Sequence, residues 1–175
     1  MIVNHEEYRD ELLWACFRSF AQSAEISTPE GLLRCFYDSE TAALAAVVST
    51  VAEDTIASLT RCLDRASGPS EKLMALGLYL ERHAEHLLEQ QRFWKAVLMN
   101  PTGLDSLLAH YGRQYQALLA GVFGAGQEAD DLGMALALLI DSLLAQRGPD
   151  PDVRLDRALL AFGRTVQGVT LTARR

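Results

Sequence analysis

Apolar side chains recur at three- and four-residue intervals along nearly the whole chain, and nowhere do they alternate with a period of two. That spacing puts them on one stripe of a helix and leaves no half-buried strand from which to build a sheet. Leu12, Leu13, Cys16, Phe17 and Phe20 make the first stripe, which runs to about Ala21. Leu44, Val47, Val48, Val51, Ile56, Leu59 and Leu63 make a nearly continuous face over residues 40–66. β-Branched residues are otherwise scattered, so the fold class is all-α.

Caps and breaks divide the stripes into about eight helices joined by short loops. Asn4 is placed to cap the first helix, with Glu6 and Glu7 in the turn where the helix dipole favours acids. Ser27 or Thr28, followed by Pro29, opens a short second helix that ends near Tyr37, and Asp38 or Ser39 caps the long third. Ser67-Gly68-Pro69-Ser70 is a break, after which Ser70 caps a helix over 71–90. A shorter helix carries Phe93, Trp94, Val97 and Leu98 and stops at Asn100-Pro101-Thr102-Gly103. Helices over 104–123, 128–146 and 152–168 complete the chain.

At 175 residues with 49% apolar content the chain has the material for one well-buried core and none of the marks of disorder. Cys16, Cys35 and Cys62 are odd in number and sit in apolar helical surroundings, which suits reduced thiols better than a disulfide frame. The first residues have no basic and then apolar signal pattern. Charges are expected to break every apolar run short of a bilayer's thickness. A cytoplasmic protein without a membrane partner is expected.

The last two helices are apolar on more than one side. Leu132, Leu136, Leu139, Ile140 and Leu143 face several directions, and Leu155, Leu159, Phe162, Gly163 and Val166 form a heptad-like seam. A helix apolar on two sides has to be covered on two sides, so these residues are the expected interface of a homodimer.

Order and spacing together resemble the tetracycline-repressor (TetR) family of bacterial transcriptional regulators over nearly the whole chain. Arg9, Leu12, Leu13, Ala15, Cys16, Phe20 and Ala21 stand where that family's first helix has its pattern. Leu32-Leu33-Arg34-Cys35-Phe36-Tyr37-Asp38-Ser39-Glu40 is similar to its recognition segment. The resemblance implies an N-terminal helix-turn-helix head, a sensor region that binds inducers, and two C-terminal dimerisation helices.

The departures from the family are concentrated in the head. Only residues 22–31 separate the two matching segments, so about a dozen residues are missing and one three-turn helix has no counterpart. Leu33, Cys35 and Ser39 replace the family's Tyr, His and Lys, and an apolar side chain donates nothing to a phosphate oxygen. Residues 1–40 carry Arg9, Arg18 and Arg34 against Glu6, Glu7, Asp10, Glu11, Glu25, Glu30, Asp38 and Glu40, a balance of 3 − 8 = −5 within a chain of net charge −7. DNA-binding surfaces are basic, because each neutralised phosphate releases counterions. The chain is thus expected to hold a degenerate head over 1–40 packed on a sensor and dimerisation body over 41–175, and not to bind DNA alone.

Candidate chemistry is sparse. His83 and His86 share a helix, but two ligands do not make a metal site, and neither a metal nor a cofactor is expected. No Ser–His–Asp order, phosphate loop or Cys-x-x-Cys pair appears, so the chain is not expected to be an enzyme. Met74, Tyr79, His83, Phe93, Trp94, Met99, His110, Tyr111 and Tyr115 offer apolar walls with polar tips, the composition of a pocket for a small apolar or aromatic ligand. Trp14, Leu33, Arg34, Phe36 and Tyr37 are the expected surface for a protein partner such as a transcription factor. Three functions compete: a regulator acting through protein contacts, a ligand-responsive DNA-binding repressor with a contracted head, and a helical ligand-binding module with no regulatory partner.

Overall fold

The computed structural model describes residues 5–25, 34–100 and 102–173, with side chains over 8–25, 34–100 and 102–166. These residues form seven helices and, among them, no strand: α1 (His5–Ser23), α2 (Glu40–Leu63), α3 (Pro69–Arg82), α4 (Ala84–Met99), α5 (Asp105–Ala120), α6 (Gln127–Arg147) and α7 (Leu155–Ala173). The all-α class follows directly. Asn4 and most of the short helix expected to end near Tyr37 lie outside the described residues, and Arg34, Cys35 and Phe36 form a turn.

Ser39 caps α2 as expected, its Oγ accepting the N–H of Ala42 at 3.1 Å. Two other boundaries differ from the expected ones. Gly68, not Ser70, is the N-cap of α3, and Pro69 takes the first helical position. The single helix expected over 71–90 is two helices meeting at His83, which leaves helical geometry at φ −109° and ψ 16°. Good helix formers flank that joint, so local propensity does not mark it. Just before it, Glu81 accepts the N–H of Leu155 at 3.0 Å, a tertiary hold that no count of residues per turn reveals.

The helices pack into two compact units. Unit 1 comprises Met1–Asp54 and Glu89–Tyr111. Its core joins Leu12, Leu13, Cys16, Phe17 and Phe20 of α1 to the Ala43–Val51 face of α2 and to Phe93 and Val97 of α4. Phe93 is wholly buried at the centre, with ring centroids 5.1 Å from Phe17, 6.0 Å from Phe20 and 5.3 Å from Trp94. Burying one such ring contributes about 2–3 kcal/mol.

Unit 2 comprises Thr55–Leu88 and Gly112–Arg175. Here α3 packs closely on α7, and glycines let backbones meet. A Cβ on Gly77 would stand 2.9 Å from the Cα of Asp156, and one on Gly133 2.6 Å from the backbone nitrogen of Ala120. Glu81 ties the ends of these helices together, pairing with Arg147 at 3.4 Å and Arg154 at 3.6 Å. Arg147 also donates to the carbonyls of Pro151 and Val153, and Arg154 pairs with Asp156 at 3.1 Å.

By length and composition α2 could cross a membrane, so the expectation that charge interrupts every apolar run was too strict there. Its apolar face is spent inside the chain, Val47, Val48 and Val51 in unit 1 and Leu59 and Leu63 in unit 2.

Candidate functional site

Because α1 turns its stripe into the core of unit 1, its other side holds Asp10, Glu11, Arg18 and Gln22 in solvent, with Trp14 half-buried among them. Two open depressions lie along that side. One, of about 330 Å³, is lined by Phe17, Arg18, Ala21 and Gln22 together with Glu89 and Arg92 of α4. The other, of about 580 Å³, is lined by Asp10, Glu11, Trp14 and Arg18. Arg18 borders both, and we term the two together the furrow. Trp14 stands edge-on to Phe17, with centroids 5.5 Å apart at 82°.

The furrow is electrically polarised. Asp10, Trp14, Arg18 and Gln22 follow at four-residue steps, one line on the helix surface about 18 Å long at 1.5 Å per residue. Two acids mark one end, and two arginines with Glu89 mark the other. Among the described residues no ion pair engages Arg18 or Arg92. Such a surface can receive a segment carrying the opposite order of charges.

The residues expected to line a ligand pocket fall in both units. Phe93, Trp94, Met99, His110 and Tyr111 belong to unit 1 and Met74, Tyr79, His83 and Tyr115 to unit 2. In unit 1 Met99 is 73% exposed and His110 lies against the Tyr111 ring at 5.2 Å. The Tyr111 hydroxyl donates to Glu53 Oε1 at 2.8 Å; burial raises its pKa, which a hydrogen bond with Ser49 partly offsets.

In unit 2 the Tyr79 and His83 rings meet at 4.6 Å while Met74 points to solvent. Burial pushes the Tyr115 hydroxyl far up, and the nearby Asp141 and Tyr79 add to the effect. Desolvation also raises Asp141, although the residue as a whole stands at the solvent edge of α6. The structure therefore gathers Tyr79, His83 and Tyr115 and adds Asp141. Asp141 is outside the expected pocket residues, and its signal in the sequence is that of a lone acid between Ile140 and Leu143.

Of the expected partner surface, Leu33 lies outside the described residues and Arg34 is exposed. Phe36 packs on Tyr8 at 6.0 Å. Tyr37 is half-buried, and its hydroxyl has no hydrogen-bond partner among the described residues; burial raises its pKa, Arg9 lowers it, and Cys16 and Asp10 raise it. Trp14 alone of this set lines the furrow.

Of the expected dimer residues, Leu136, Ile140, Leu143, Leu155 and Leu159 lie in the core of unit 2, and Gly163 is buried against Leu73. Leu132, Leu139, Phe162 and Val166 are half-buried, while the exposed large apolar residues of α6 are Met134 and Leu138. No group of three or more His, Cys, Asp or Glu side chains able to hold a metal occurs among the described residues.

Compared with known structures, the chain is similar in fold to a "putative transcriptional regulator" from Pseudomonas aeruginosa PAO1. The TM-score is 0.69 at 22% identity, over 96% of this chain and 92% of the other. No protein-family model and no curated protein sequence matches it.

Proposed function

We propose that the chain is a transcriptional regulator with a TetR-like body whose head does not bind DNA in the usual way. It acts through protein contacts, a small-molecule ligand or both, in the manner of an anti-activator or anti-repressor. The fold likeness to a "putative transcriptional regulator" over nearly the full length supports a regulatory role. The observation that carries the mechanism is the charge of residues 1–40, three arginines against eight acids, with Asp10, Glu11, Glu25, Asp38 and Glu40 all in solvent. Phosphates are repelled by such a surface, and Leu33, Cys35 and Ser39 have little to offer them.

The test is a gel-shift titration on the promoter of its own operon at low salt, run beside a pull-down from the source lysate. Recovery of a transcription factor without DNA binding supports the proposal. Tight, sequence-selective DNA binding by the protein alone overturns it and makes the chain a ligand-responsive repressor with a contracted head. A homodimer through α6 and α7 belongs to the same proposal. Its available surface is the half-buried Leu132, Leu139, Phe162 and Val166 with the exposed Met134 and Leu138, and sedimentation at varied concentration tests it.

A further inference from the structure

The outer side of α1 is complementary to itself. Asp10 stands four residues before Trp14 and Arg18 four residues after it, with Glu11 at the acidic end and Arg92 of α4 at the basic end. A helix with acids one turn before an aromatic residue and a base one turn after it matches a copy of itself laid antiparallel. A two-fold axis through the aromatic residue then sets Asp10 opposite Arg18 twice over, with Glu11 one position from the same arginine.

We propose that the furrow is a self-association face, into which a second copy of this chain lays its own α1 antiparallel. Trp14 meets Trp14 of the partner subunit on the axis. Asp10 and Glu11 of each protomer face the arginines at the basic end of the other.

The shape of the furrow agrees with its charge. It is open and about 18 Å long at 1.5 Å per residue, which suits a helix lying along it better than a small molecule that needs enclosure. Glu11, Trp14, Arg18 and Ala21 are spaced three, four and three apart, the repeat of a helix–helix seam. A parallel copy would set acid on acid and base on base, so charge selects the antiparallel direction. Glu89 tempers the basic end without reversing it, leaving two positive charges against one negative. Trp14 is the anchor, and the exposed charges fix direction and register. The face is made of α1 and α4 residues, none of them among those of the dimer proposed above; if that dimer forms it carries two such faces, and this contact raises its mass at least twofold.

Sedimentation velocity over a concentration series, at low and at high salt, tests the proposal. Self-association is expected to weaken as salt rises. Arg18→Glu alone, and Asp10→Lys with Glu11→Lys, are each expected to weaken it about tenfold. The triple variant is expected to recover it, and an equimolar mixture of the two charge-reversed proteins is expected to form the mixed assembly. Circular dichroism on each variant separates loss of contact from loss of fold. A chain that stays at the mass set by its other contacts at all concentrations overturns the proposal. So does an association indifferent to Arg18→Glu, or a helical triple variant that does not recover.

Discussion

Units 1 and 2 are both helical with apolar interiors, yet different things hold their helices at contact distance. In unit 1 large rings fill the space: Phe17, Phe20 and Trp94 surround the wholly buried Phe93. In unit 2 missing side chains let backbones touch, at Gly77 against Asp156 and at Gly133 against Ala120. A core filled with rings is damaged by removing volume, and a core fitted through glycine is damaged by adding it. The first kind tolerates change on its outer side, and that is where the polarised furrow lies.

The sharpest way to break this comparison is to delete the central ring. Phe93→Ala is expected to cost about 3–5 kcal/mol in urea unfolding, the price of a cavity that the surrounding rings refill only in part. A loss near 1 kcal/mol would show that unit 1 collapses readily and is not organised around that ring. Next in size, Gly133→Ala is expected to cost about 2–3 kcal/mol, because its methyl group would meet Ala120 backbone atoms at 2.6 and 2.7 Å. Gly163→Ala is the control: its methyl group would meet only the tip of Leu73 at 2.7 Å, which can swing aside for under about 1 kcal/mol. Equal losses at the two glycines would remove the distinction between backbone and side-chain contact.

Smaller again is Glu81→Ala, expected to cost about 1–2 kcal/mol by thermal unfolding, since the Leu155 N–H, Arg147 and Arg154 lose their shared acceptor. The corresponding polar test in unit 1, Tyr111→Phe, removes the hydroxyl that bonds to Glu53 and Ser49 and is expected to cost about 1 kcal/mol.

The smallest effect depends on pH. Asp141 is raised by desolvation, so the folded state holds its proton to higher pH than the unfolded chain does. Its contribution to stability is therefore lost as pH climbs from the ordinary carboxylate range toward the raised value. Asp141→Asn is expected to be slightly more stable at neutral pH in urea unfolding and to flatten that part of the profile. Identical profiles for the two proteins would remove desolvation at Asp141 from the account of unit 2.

Helical periodicity carries most of the fold, because a stripe at three- and four-residue spacing is a property of one segment. Leu12, Leu13, Cys16, Phe17 and Phe20 read as one face and are one face, and Ser39 announces its helix by side-chain chemistry. Tertiary features leave no such trace. The joint at His83 has neither proline nor glycine to mark it, and the partners of Gly77 and Gly133 come from distant helices. Type and spacing mark the expected pocket residues, and neither carries the information that Phe93 and Tyr115 belong to different units. The furrow was legible in part, since Asp10, Glu11 and Arg18 entered the charge balance of residues 1–40. A net balance conceals the order of charges along a helix, and that order is what makes the furrow polar.

Neither unit is one continuous stretch of chain: α2, α4 and α5 each begin in one and end in the other. A protein built from consecutive modules can exchange one by a single recombination event at the joint between them. Lifting unit 1 out of this chain would require breaks after Asp54, Leu88 and Tyr111, each inside a helix. A front end carried this way is hard to shed or to swap, and a lineage that alters it has to edit it in place.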